Sequence, residues 1–147
     1  MNNFTQLHLH TSYSLNSGTI RIDDLVDQAK KKKVSCLAVT DYLNIFGAVK
    51  FYNRCIDASI KPIIGCEIPL ISDKNTRIDN IVLLCQNLNG YYNLNKILSE
   101  IHKSRSSQLG ASYMLLNKYS SDLLCLSGGR YGICGLNSLH NHIDTTQ

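Results

Sequence analysis

No C-x-x-C pair occurs among the six cysteines, Cys36, Cys55, Cys66, Cys85, Cys125 and Cys134. Their scatter without such a pair argues against a disulfide or zinc framework. Most of these thiols sit inside apolar runs, where cysteine behaves as a small hydrophobe, so buried reduced thiols are expected. Long apolar runs are missing too: Ile81–Cys85 is far too short to span a bilayer. The first residues, Met-Asn-Asn-Phe-Thr, lack the basic stretch and apolar core of a secretory signal. A cytoplasmic chain with no membrane contact is therefore expected. Tryptophan is absent while Asn, Ile and Lys are abundant, a bias of AT-rich coding that carries no mechanism. There is no solenoid repeat and no linker. Nor is there a G-x-x-x-x-G-K-[ST] phosphate loop or a G-x-S-x-G nucleophile elbow.

What is present is enough for one core. The 147 residues are 44% hydrophobic and 18% charged, which fits a single globular domain rather than a disordered chain. The net charge of +4 owes much to the run Lys30 to Lys33. Cations at a helix end suit the negative end of the dipole, so a solvated terminus accounts for the run.

Leu7 to His10 alternates and predicts a strand. Ile22, Leu25, Val26 and Ala29 recur at helical spacing and predict a helix over Asp23 to Lys32. Cys36 to Thr40, apolar on both faces, reads as a strand of a covered parallel sheet. The pattern then repeats: a loop over Asp41 to Phe46, a helix over Ala48 to Ala58 and a strand over Pro62 to Ile68. Polar residues 72–79 are followed by a strand over Asn80 to Cys85 and by a helix from about Tyr92 to Lys103. A polar loop, Ser104 to Ala111, leads to a short helix over Tyr113 to Lys118, a strand over Leu123 to Leu126 and the pair Gly128-Gly129. Such alternation predicts a parallel α/β fold, either an open doubly wound sheet or part of a barrel.

His8 and His10 lie two apart on a predicted strand, so both imidazoles leave the same face, roughly 6.5–7 Å apart at their roots. A lone H-x-H is more often ordinary surface or core than a ligand pair. Its context is more informative: Thr40-Asp41 follows the second strand and Gly65-Cys66-Glu67 ends the third. Ligands in parallel α/β folds gather at the carboxyl ends of strands. Ser12 and Ser14 are expected to serve turn hydrogen bonds. Gly128-Gly129-Arg130 is expected to be a plain turn, and His140 with His142 to lie in a polar tail, residues 137–147.

Taken together, several segments resemble the PHP domain at the amino terminus of bacterial DNA polymerase III alpha subunits. They are His8-Leu-His10-Thr-Ser-Tyr-Ser14, Ala38-Val-Thr-Asp41, Asn44-Ile-Phe-Gly-Ala-Val-Lys-Phe51, Lys61-Pro-Ile-Ile-Gly65 with Glu67, Asn89-Gly-Tyr91 with Asn93-Leu94, and Leu126-Ser-Gly-Gly-Arg130. The resemblance runs from about Leu7 to Leu136, and residues 1–136 are assigned to a partial PHP domain. It implies a distorted (β/α)7 barrel of mostly parallel strands, here incomplete, since a whole domain is nearly twice as long. An open sheet edge and uncovered helix faces would then make the isolated chain poorly soluble.

In active members the barrel mouth holds a cluster of metal ions that activates water against a phosphoester. The resemblance assigns His8, His10 and Glu67 as metal ligands. Other ligand positions depart from the pattern. Tyr42 replaces a histidine with a phenol, protonated at neutral pH and a poor ligand. Ser17 replaces an acid, Asn80 a histidine and Gly129 a cysteine. The three remaining ligands therefore read as a vestigial site expected to stand without metal, and no cofactor is expected in this chain beyond residual zinc or manganese. The implied role is a noncatalytic docking domain for the proofreading exonuclease subunit, joined to the rest of the alpha subunit and meeting DNA only through that assembly. Polymerase chemistry and its magnesium belong to regions this chain does not contain. An active metal-dependent phosphoesterase, built-in or free-standing, is the alternative.

Overall fold

The computed structural model describes residues 4–15, 17–71, 77–104 and 108–127. Eight elements follow one another among them: α1 (Ile22–Lys31), β1 (Cys36–Val39), α2 (Ala48–Asp57), β2 (Lys61–Ile71), β3 (Arg77–Cys85), α3 (Leu88–Lys103), α4 (Tyr113–Tyr119) and β4 (Leu123–Leu126). Ile22, Val26 and Ala29 bury one stripe of α1, while Asp23 and Asp24 in its first turn and Lys30 and Lys31 in its last match the helix dipole. The lysine run thus stands at a helix end, as its composition suggests.

Both α1 and α2 stop by the same device. Lys33 and Ser59 adopt φ of 54° and 59°. Beyond them the Val34 N–H donates to the Ala29 carbonyl at 3.0 Å and the Ile60 N–H to the Cys55 carbonyl at 2.9 Å. These are Schellman closures, which satisfy the last carbonyls and swing the chain directly into the next strand. Helix α3 begins earlier than its apolar spacing predicts, because the Asn87 side chain accepts from the Gly90 N–H and caps it.

The sheet order is β1-β2-β3-β4. Strands β1 and β2 pair in parallel through Cys36↔Lys61 to Val39↔Ile64. From Gly65 onward β2 gains β3 as an antiparallel neighbour, and β3 runs antiparallel to β4. A β-carbon on Gly65 would lie 2.5 Å from the Leu83 carbonyl oxygen, so the close approach at this position requires glycine. The expectation of mostly parallel strands is therefore corrected among the described residues. Only residues 72–76 connect β2 to β3, too few for the crossover helix that a parallel pair needs. The strand expected over Leu7 to His10 is corrected as well: residues 4–10 form an extended segment beside β1 rather than a regular strand. The Ala38 and Thr40 N–H groups donate to the carbonyls of Gln6 and Leu9, three residues apart, where a parallel ladder repeats every two.

Alternate strand residues divide between two faces. Leu37 and Val39 pack with Ile22, Val26, Phe51 and Cys55 beneath α1 and α2. Cys66, Ile68, Ile81 and Leu83 pack with Leu94, Ile97, Leu98 and Ile101 of α3. On the opposite face Ala38, Val82 and Leu84 gather with Leu7, Ile63 and Leu126. One helix-covered face and one inward apolar face are what a segment of barrel wall requires. The described thiols are free, and burial pushes Cys66 up to about 12 and Cys55 to about 11.

Residues of α2 and of the start of α3 flank a groove of about 580 Å³ lined by Val49, Tyr52, Pro62, Ile64, Leu88 and Tyr91. Val49, Tyr52 and Leu88 are exposed. No helix among the described residues is long and apolar enough to cross a membrane.

Candidate metal centre

Strand periodicity aims the site. Residues 38, 63, 82 and 84 face inward, so Glu67 on β2 and Asn80 on β3 share that face. Beyond β1 the parallel pairing continues as a bridge between Tyr42 and Glu67. The Leu43 N–H donates to the Glu67 carbonyl and the Glu67 N–H to the Asp41 carbonyl. The extended segment 7–10 lies over this end of the sheet, held partly by the Leu9 N–H donating to Thr40 Oγ1 at 2.8 Å.

His8 Nε2 lies 2.9 Å and His10 Nε2 2.5 Å from the same oxygen, Glu67 Oε2. The imidazole rings meet edge to face with centroids 5.4 Å apart. Asn80 Nδ2 donates to the other oxygen, Glu67 Oε1, at 2.6 Å. Burial of Glu67 pushes its carboxyl up, but the hydrogen bonds from His10 and then His8 outweigh burial and hold it at about 2. The Glu67 hydrogen bond raises His10 above its ordinary 6.5, against the opposing effect of burial.

These shifts give a pH signature for the chelator-treated chain. Glu67 contributes stability that is complete above its ordinary value of 4.5 and is lost as pH falls toward about 2. His10 contributes stability that is complete below 6.5 and is lost as pH rises through its higher folded value. The difference in urea midpoint between the wild-type chain and Glu67→Gln is expected to be widest at about pH 5–6 and to shrink on both sides. A difference that grows steadily toward alkaline pH would contradict the ion pairing.

Asp41, buried at 2% exposure, does not join this group. Its pleat position points it away from the inner face, into the turn that follows His10. There the Thr11 N–H donates to Oδ1 at 2.6 Å, Thr11 Oγ1 to Oδ2 at 2.8 Å and Ser14 Oγ to Oδ1 at 2.6 Å. Ser14 Oγ also accepts from the Tyr42 N–H at 3.0 Å. Ser14 thus serves the turn, as expected of a serine without a nucleophile elbow. Gly18 closes the same turn, where a β-carbon would stand 1.7 Å from the Thr11 carbonyl oxygen. Asp41 as organiser of the mouth was missed by sequence reasoning. The available signal was Thr11 and Ser14, two hydroxyls just past the histidine pair that need a shared acceptor.

The donor set can be tested for fit. Ligand atoms of His8, His10 and Glu67 all lie within 4.8 Å of one another. Two imidazoles and one carboxylate suit a single zinc, manganese or iron ion with open positions. They do not suit a cluster. Paired ions roughly 3.5–4 Å apart need further ligands, whereas Tyr42 and Asn80 stand on the inner face at two of the departed positions, and the Ser17 hydroxyl lies 3.4 Å from the Ser14 carbonyl oxygen. Gly129, Gly128, Arg130, His140 and His142 lie outside the described residues.

Comparison with known proteins adds ancestry to this geometry. A family model described as the PHP domain matches residues 6–147. The DNA polymerase III subunit alpha of Neisseria meningitidis is 32% identical over 152 residues, covering 98% of this chain and 13% of that protein. Its counterpart in Borreliella burgdorferi is 37% identical over 140 residues, covering 84% of this chain and 12% of that one. The chain therefore spans about an eighth of the length of the curated relatives it matches. Among solved structures, an amidohydrolase from Chromobacterium violaceum with bound sulfate and no metal superposes with a TM-score of 0.53 at 23% identity, over 69% of this chain and 34% of that one.

Proposed function

Because this chain belongs to the PHP domain family, we propose that it is the structural and docking module of a replicative polymerase alpha subunit, without phosphoesterase activity of its own. The observation that carries this reading is the reduced inner face. Only His8, His10 and Glu67 converge as a metal-capable group among the described residues, and the free edge of that carboxylate is bound by the Asn80 amide. Hydrolysis by a cluster needs a carboxylate or imidazole where Asn80 and Tyr42 now stand.

Docking is supported by the apolar surface the fold leaves uncovered. Phe46, Val49, Tyr52, Ile56, Leu88 and Tyr92 are each more than half exposed, an arrangement suited to burial by further polypeptide or by a partner. The proofreading exonuclease subunit is the proposed partner, the cytoplasm the proposed compartment, and DNA is met only within that assembly. The test is co-expression of the chain with the exonuclease of the same cell. A stable co-purifying complex is expected, together with no hydrolysis of a model phosphodiester above that of His10→Ala. Failure to bind the exonuclease, or hydrolysis abolished by His10→Ala, would overturn the reading.

The second reading is retained phosphoesterase chemistry, and the convergence of both histidines on one carboxylate oxygen favours it. A divalent ion held there would supply a Lewis acid and a water of lowered pKa. His8, His10 and Glu67 would hold that ion, and Asn80 would orient the carboxylate.

A further inference from the structure

We propose that the end of the sheet opposite the mouth binds the phosphate backbone of nucleic acid, through Lys32, Lys33 and Lys61 with Lys30 and Lys31 beside them. The topology brings the five together. Lys30 to Lys33 end α1 and lead to β1, and Lys61 opens β2 in register with Cys36, the first residue of β1. The Lys61 N–H donates to the Ser35 carbonyl at 2.9 Å, which sets Lys61 beside the turn that carries Lys33. Glu67 lies six residues further along β2, so the basic end stands about 20 Å from the mouth.

All five lysines are exposed, and none forms an ion pair or a side-chain hydrogen bond among the described residues. Basic groups on the flank of α2 behave otherwise, since Lys50 and Arg54 are matched by Asp23 and Asp27. The carboxylates at the basic end are Asp57, the last residue of α2, and Asp122, which the Asn87 and Asn89 amides already hold. The fold explains only part of this charge. Lys30 and Lys31, in the last turn of α1, suit the helix dipole. Lys32, Lys33 and Lys61 lie past that turn or on another element. Lys33 holds φ of 54°, a left-handed position where helix ends favour glycine or asparagine and where a lysine carries a conformational cost. No bond of its ammonium within the described residues offsets that cost.

The chemistry of the patch selects the partner. Consecutive residues of a helix end diverge around the axis, which suits a long row of anions rather than one pocketed ion. Lysine is a compact point charge on a flexible stem, fit for phosphates and not for reading bases. Neither arginine nor an aromatic ring stands among the five, so the anchors that carry protein–protein interfaces are missing. Binding then depends on release of condensed counterions, which the charge density of a nucleic acid supplies and an acidic polypeptide does not. Such a contact is independent of sequence and weak alone, and within the assembly it adds to the hold on the backbone.

The test is fluorescence anisotropy of the 147-residue chain with a short labelled duplex DNA of arbitrary sequence, from about 50 to 200 mM salt. The logarithm of the binding constant is expected to fall linearly with that of salt, with a slope of about −3 to −4.5 for roughly three to five neutralised phosphates. Combined Lys32→Gln, Lys33→Gln and Lys61→Gln should reduce the slope by about 3, while the same three changes to arginine keep it. Lys103→Gln, at the far end of α3, should leave it unchanged. Lys33→Gly separates binding from folding: it should raise the urea midpoint by relieving the left-handed lysine, yet reduce the slope by about 1. Duplex RNA should compete. Absence of binding at about 50 mM salt, a slope unchanged by the triple glutamine variant, binding confined to one DNA sequence, or failure of RNA to compete would overturn the proposal. So would displacement by polyglutamate or by phosphatidylserine vesicles at equal charge. Exonuclease docking stands or fails separately, by co-purification, and loss of the exonuclease from the triple glutamine variant would assign the lysines to that protein instead.

Discussion

Asp41→Ala is expected to lower the unfolding free energy by about 3–5 kcal/mol, since it strands three buried donors worth roughly 1–3 kcal/mol each when unsatisfied. Thr11 and Ser14 have no solvent exposure, so water cannot reach them to replace the carboxylate. The consequence reaches past stability. The Thr11 turn follows directly on His10, and its collapse would let the His8 to His10 segment drift from Glu67. Zinc affinity and urea midpoint should therefore fall together. Asp41→Asn, which keeps an acceptor oxygen for part of the network, should cost distinctly less. Equal losses from the two substitutions, or less than about 1 kcal/mol from alanine, would show that the turn does not depend on this carboxylate.

Phe51→Ala carries an expected loss of about 3–5 kcal/mol, through lost burial and the cavity left behind. Phe51 has no exposure and lies in the cluster that joins α1 and α2 to β1. Collapse into the space is limited, because both helices are pinned at their ends by the closures after Lys33 and Ser59. The surface ion pairs Lys50–Asp23 and Arg54–Asp27 between the helices are exposed and too well screened to compensate. Tyr52→Ala, one residue away but half exposed, is the control and should stay within about 1 kcal/mol. Comparable losses at the two positions would mean that the groove face of α2 is as tightly packed as its core face.

Much of this molecule was legible without coordinates, for reasons that differ by residue. Ile22, Val26 and Ala29 announced α1, since their 3.6-residue spacing reports burial whatever the helix packs against. Leu123 to Leu126 was placed correctly as a strand. His8 and His10 pointed to one face, and the resemblance added Glu67. The structure brings both histidines to one carboxylate oxygen of Glu67. Leu7 to His10 was a fair strand by pattern, yet its hydrogen bonds to β1 repeat at the wrong interval for a ladder. Residues 77–79 look like turn by composition and nevertheless belong to β3. Tertiary pairing overrode local propensity there.

The amino-acid sequence alone determined the order of the elements from α1 to β4, the family, and the residue types that stand at the mouth, because local periodicity and short motifs encode those directly. It could not determine pairing direction: a buried apolar strand reads alike in parallel and antiparallel ladders. Nor could it show that Asp41 turns away into a hydroxyl-lined bend while Asn80 turns inward to the carboxylate. Those facts depend on which strands become neighbours and in what register, and residues 13 apart in the chain, such as Asn80 and Glu67, meet only once the β2–β3 pair has formed.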